Sequence, residues 1–152
     1  MKIRNIAAIA FVLIISIGCN EEAPCYDFPL PTLTLDDDFG CERTTRDMEI
    51  DLSEEFIVIK DQATFDSLVS VYCDPLIDFS THDFLIGKKG LTKGLATIDY
   101  QLTDKCDQLN HDLKVSIGLA VTDEAPNITY HCLVPKLKDD QSVNVEVEVY
   151  HY

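Results

Sequence analysis

Basic residues are scarce in this chain of 152 residues: 12 Lys and Arg stand against 27 Asp and Glu, for a formal net charge of -15 at pH 7. Contact with nucleic-acid phosphates requires a basic face, which this composition supplies only as one small local patch, so no nucleic acid is expected among the partners. No apolar run approaches the roughly 20 residues that span a bilayer as a helix. No internal repeat or low-complexity tract is present, so neither a solenoid nor a compositional linker accounts for the chain. The four histidines, His82, His111, His131 and His151, form no His-Glu-x-x-His pair, and neither a Gly-x-Ser-x-Gly elbow nor a phosphate-binding Gly-Lys-Ser/Thr ending occurs. The 46% hydrophobic content argues against a disordered acidic tail, and the length suits one domain.

The N-terminus carries an address. Lys2 and Arg4 precede an apolar run from Ile6 to Ile17, followed by Gly18-Cys19 and the polar Asn20-Glu21-Glu22. A basic start and a short apolar stretch ending at a small residue make residues 1–18 an export signal. Ser16-Ile17-Gly18-Cys19 resembles the bacterial lipobox, with Ser16 where that pattern usually has Leu. The resemblance implies cleavage before Cys19 and acylation of its thiol. Asn20-Glu21-Glu22 resembles the acidic export signal of surface lipoproteins in the Bacteroidetes. The implied location is exported and membrane-anchored at the outer membrane, facing either periplasm or surface, with the acyl group at Cys19 as the membrane contact. Removing residues 1–18 takes two basic residues and no acidic one, leaving 10 basic against 27 acidic and hence a net charge of -17.

Five cysteines remain: Cys25, Cys41, Cys73, Cys106 and Cys132. In an exported chain they read as disulfides, and their spacing does not resemble a zinc site. The expected bridges are Cys106 to Cys132 and Cys25 to Cys41, with Cys73 left over as a free thiol or weak candidate nucleophile. Cys41 to Cys73 is the main competing pair.

Residues 19–46 hold Pro24, Pro29, Pro31, the run Asp36-Asp37-Asp38 and Gly40, and read as an acidic, Pro-containing tether. The Asp run fails as a calcium loop of the EF-hand kind, because Gly40 and Cys41 stand in its fifth and sixth positions. No metal or other cofactor is expected. From residue 47 to 152 the pattern is α+β. Glu55 to Lys60 is a short apolar strand, and Asp61 N-caps a helix over 62–72 with Phe65, Leu68, Val69 and Tyr72 on one face. Phe84 to Gly87 is a short apolar segment leading into a flexible Gly-Lys stretch as far as Gly94. Strands with alternating side chains follow around 96–102, 113–121, 128–134 and 143–149. Short polar turns between them predict antiparallel pairing in one predominantly antiparallel sheet or small sandwich with one packed helix.

For chemistry, Asp78 and Asp83 flank His82, the best candidate acid/base constellation for a hydrolase. Asp78-Phe79-Ser80-Thr81 also reads as a polar turn. His131 alternates with Tyr130 and Cys132, so it should face the other side of its strand. Asn127-Ile128-Thr129 is a glycosylation sequon by pattern only. Lys88, Lys89 and Lys93 concentrate positive charge in one stretch and form a candidate docking site for an acidic partner surface.

Ile57-Val58-Ile59-Lys60-Asp61-Gln62 with the helix after it, Ile77-Asp78-Phe79-Ser80, Phe84-Leu85-Ile86-Gly87 and Val134-Pro135-Lys136-Leu137 together resemble, in order and spacing, the C-terminal domain of the protease complex subunit PrcB family. The resemblance covers about residues 54–150. Where members often carry a Gly-Gly-aromatic element, this chain has Gly94-Leu95. The resemblance implies a lipid-anchored, non-catalytic accessory that helps to assemble or stabilise an exported protease, and it transfers no catalytic residue. The expectation is therefore an exported protein-binding domain and no enzyme. Its alternatives are a hydrolase built on His82 with Asp78 or Asp83, and a small-ligand or calcium-binding surface module.

Overall fold

A computed structural model describes residues 25–52, 55–106 and 109–151. Three layers are stacked. The first is a four-stranded sheet in the order β1-β6-β7-β9, made of β1 (Phe28–Leu30), β6 (Leu95–Asp104), β7 (Asn110–Leu119) and β9 (Ser142–His151). The second is a three-stranded sheet, β3-β5-β8, made of β3 (Phe56–Ile59), β5 (His82–Gly90) and β8 (Asn127–Pro135). Short elements cover the outer face of that second sheet: α1 (Leu35–Asp38), α2 (Thr44–Asp47), α3 (Gln62–Leu68) and the two-residue strands β2 (Glu49–Ile50) and β4 (Val69–Ser70), paired with each other. The architecture is the expected α+β sandwich, mostly antiparallel.

The middle sheet explains the sequence pattern. β5 and β8 are buried on both faces, so Phe84-Leu85-Ile86 and Ile128 to Val134 run as continuous buried stretches instead of alternating with solvent-facing residues. Leu85, Ile128, Tyr130, Cys132 and Val134 face the first sheet, where they meet Leu102, Leu113, Val115, Ile117 and Leu119. Phe84, Ile86 and Leu133 face outward, where they meet Leu35, Met48, Ile50, Ile59 and Phe65. His131 shares the outward face, as alternation requires. β9 is amphipathic, with Val143, Val145 and Val147 packed on the inner core and Glu146 and Glu148 exposed.

Several expectations are corrected. β7 and β9 pair in parallel, from Asn110↔Ser142 to Leu119↔His151, because the strand between them, β8, leaves the first sheet and joins β5 in the second. The chain thus returns to β7 in β7's own direction. The helix begins as expected, with the Asp61 carboxylate accepting from the Thr64 N–H at 2.8 Å, but it stops at Leu68. β-branched Val69 and its neighbour Ser70 extend to pair with β2, so Phe65 and Val69 are buried while Leu68 and Tyr72 are exposed. Gly87 to Gly90 is strand, not flexible loop. At Gly87 the ring of Tyr130, directly opposite, occupies the space a Cβ would need, which accounts for the glycine. The expected tether 19–46 is part of the fold from Cys25 onward: β1 pairs with β6, Leu33 bridges Leu133, and Leu35, Cys41 and Thr44 are buried.

The cystines also differ. Cys25 joins Cys106 and Cys41 joins Cys73, with Cα separations of 5.3 and 5.6 Å. The register Phe28↔Asp104 brings the chain before β1 beside the chain after β6, and so Cys25 beside Cys106. Cys132 lies fully buried between the sheets as a free thiol, while Cys106 is taken by Cys25, and burial pushes the Cys132 thiol pKa up to about 12. Cys73, expected to be left over, is the one that closes onto Cys41.

Candidate functional site

The His82 constellation loses Asp83. His82 and Asp83 are successive strand residues, so they point to opposite faces. Asp83 is fully buried, pairs with the Lys136 Nζ at 2.6 Å and accepts from the Leu137 N–H at 3.0 Å. Asp78 accepts from the Ser80 hydroxyl and N–H, which hold its carboxyl below the usual pKa. The His82 Nδ1 lies 2.9 Å from the Thr81 hydroxyl. Asp83 is thus engaged away from the imidazole, while the Asp78 carboxylate is held by Ser80 and feels the His82 charge only as a minor influence. Among the other histidines, His111 sits 3.0 Å from Asp104 across the β6–β7 ladder, His131 is buried and His151 is exposed.

The lysine stretch is divided. Lys88 and Lys89 leave opposite faces of β5, while Lys93 lies in the following turn and pairs with Asp123 at 3.3 Å. The Asp run is absorbed locally: Asp37 bonds the Thr34 that caps α1, and Asp36 accepts from the Thr44 hydroxyl and N–H. No group of three or more metal-ligating side chains is placed for an ion among the described residues. Cys19 and residues 1–18 lie outside the described residues.

A cleft of about 450 Å³ opens beside the outer edge of β8, lined by Asp36, Asp37, Asp99, Tyr100, Thr34 and His131, among others. Tyr100 closes its floor by accepting the His131 N–H at 3.0 Å, and burial pushes its own hydroxyl pKa up. The His131 Nε2 accepts from the Leu35 N–H at 3.2 Å, which places the ring proton on Nδ1. Burial pushes the His131 pKa down to about 4, against the opposing pull of Asp36 and Asp37. With Nε2 committed to a backbone donor, this imidazole anchors α1.

The surface around Cys41–Cys73 was not legible as a site. Two hollows flank the cystine, sharing Val71 and Cys73: one of about 220 Å³ reaches Tyr72 and the other, of about 360 Å³, reaches Leu76. Tyr72 is 90% exposed and Leu76 83%, and Leu68 is exposed as well. Glu42, Asp47, Asp66 and Asp74 stand among the lining residues. Helical spacing assigned Tyr72 to the buried stripe. The available counter-signal was Cys73-Asp74-Pro75, since a proline shortly after a helix marks its end.

No family model matches this chain, and no curated protein and no solved structure matches it either.

Proposed function

We propose that this chain is an exported, lipid-anchored, non-catalytic domain that binds another protein through the surface around Cys41–Cys73. The carrying observation is the display of Tyr72 and Leu76, almost fully exposed, on a segment held to the body of the domain by that cystine. Burying a large apolar side chain is worth about 1.5–3 kcal/mol, so leaving two such groups in water forgoes a gain that a partner can recover. The covalent tie limits the entropy lost when the segment is captured. An acidic rim around an apolar centre suits a partner with basic residues around an apolar contact. Export and anchoring rest on residues 1–18 and Cys19, and two cystines accord with an oxidising compartment. The PrcB-like order of motifs makes an exported protease the partner class to test first.

Affinity capture from the source membrane with the intact chain should return an exported protein, and Tyr72→Ala with Leu76→Ala should weaken that capture at least about tenfold. Equal recovery with the double variant would remove the reading.

A further inference from the structure

The first sheet ends on β9, and the geometry points to the outer edge of β9 as a second docking site, for an extended segment of another protein that alternates apolar and basic residues. It involves a strand of the opposite layer from the Cys41–Cys73 surface, so the two can succeed or fail independently.

The edges of the two large sheets are treated unequally. β1 is three residues long and contains Pro29, which has no N–H to offer. β3 is four residues long. The outer edge of β8 is satisfied from within the molecule: the His131 N–H donates to the Tyr100 hydroxyl at 3.0 Å and the Leu133 N–H to the Leu33 carbonyl at 2.8 Å. β9 runs for ten residues, Ser-Val-Asn-Val-Glu-Val-Glu-Val-Tyr-His, with an unbroken register against β7. It carries neither Pro nor a bulge, and the charges that guard it are those of Glu146 and Glu148, which turn away acidic strands. Alternate backbone groups of a strand point to opposite edges, so about half of those of β9 face away from β7. Among the described residues, no backbone hydrogen bond outside the strand ladders reaches residues 143–149. Such an edge is a template for one more strand.

Charge and apolar pattern select what the strand would be. A strand added beside β9 continues both of its faces. On the inner side, past a small cavity of about 170 Å³ where Glu55, Lys88 and Lys89 join Phe56, Tyr130, Val145 and Val147, it would extend the row Val143, Val145, Val147 and Val149, the last already exposed. Apolar residues fit there. On the outer side it would lie against Glu146 and Glu148. Lys114 of β7 is the register partner of Glu146 and pairs with Glu148 at 2.9 Å, so one cation serves both carboxylates and a second positive charge is wanted there. A lysine or arginine opposite Glu146 would supply that charge.

The same pattern disfavours a second copy of this chain. In the antiparallel registers with the most overlap, Glu146 faces either its own counterpart or Glu148, and like charges directly opposite destabilise a sheet pair. Two molecules of net charge -15 also repel on approach.

The test uses the chain labelled with nitrogen-15, amide exchange read residue by residue, and short synthetic peptides alternating lysine with valine or glutamate with valine. The lysine peptide should slow exchange at alternate amides of β9 and bind at least about tenfold tighter than the glutamate peptide. N-methylation of every second peptide amide should abolish binding, and Glu146→Lys with Glu148→Lys should reverse the preference. Equal binding of the two peptides, or undiminished binding of the N-methylated one, would overturn the proposal in favour of non-directional attraction. Protection that appears without peptide as protein concentration rises would replace it with a second copy, and protection at all concentrations would replace it with a segment of the chain itself.

Discussion

The inner and outer cores share β5 and β8 but are closed in different ways. The inner one lies between two sheets, where Leu85, Tyr130, Cys132 and Val134 meet Leu102, Leu113, Val115 and Ile117 from long strands with regular registers. The outer one is covered by short helices, two-residue strands and irregular chain, and polar pegs recur in it. The Thr129 hydroxyl donates to the Met48 carbonyl at 2.8 Å, the Leu35 N–H to the His131 Nε2, and the Thr44 hydroxyl to Asp36, while Cys41–Cys73 ties two distant parts of the cover together. A long strand satisfies its own backbone and brings its apolar face in register. Short elements cannot do so, and the difference is made up by side-chain hydrogen bonds and a covalent link.

Truncating each core gives the sharpest test of that contrast. Phe65→Ala in the outer core should cost about 3–5 kcal/mol and Ile117→Ala in the inner one about 2–5 kcal/mol, both read from urea unfolding. A single shared transition is expected in both variants, because β5 and β8 belong to both cores. An early separate transition in Phe65→Ala alone would divide the molecule into two units.

Next in size is the covalent tie. Cys41 and Cys73 are 32 residues apart, and on the chain-entropy account closing a loop of that length is worth about 3–4 kcal/mol. Cys41→Ser with Cys73→Ser should lower stability by that order and speed amide exchange in the outer cover more than in β6 and β7. Uniform acceleration across all strands would contradict an outer core that depends specially on its cystine.

The smallest expected effect is that of acid. His131 titrates near 6.5 when unfolded and about 4 when folded, since its buried ring resists charging. The unfolded chain therefore binds the proton first, and the neutral ring's contribution is present above about pH 6.5 and lost as pH falls toward 4. That shift corresponds to roughly 3 kcal/mol before relaxation, which will reduce it. His131→Gln should flatten this part of the stability profile relative to the native chain. Parallel profiles for the two proteins would exclude His131 as the acid-sensitive peg.

Legibility in the sequence followed the same division. The alternation in 96–102, 113–121, 128–134 and 143–149 gave four of the long strands, and Asp61 gave the start of α3, because these signals lie within a few residues of the structure they specify. The outer cover was read as a tether, since Leu33, Leu35 and Cys41 are scattered among Pro and Asp without a period, and their burial depends on contacts such as Leu33 with Leu133. The surface around Tyr72 was hidden for a related reason. A helix continued by spacing alone puts Tyr72 inside, while pairing of β4 with β2 and closure of Cys73 onto Cys41 turn it outward.

Composition and local pattern were enough for the acidic charge, the α+β class and the faces of the strands, all of which follow from residues near one another in the chain. Tertiary structure alone decided that β9 returns parallel to β7, that Cys25 meets Cys106 and Cys41 meets Cys73, and that Asp83 turns inward to Lys136 instead of serving His82. Each of those outcomes depends on which distant segments become neighbours, and that is set by the burial of two cores at once.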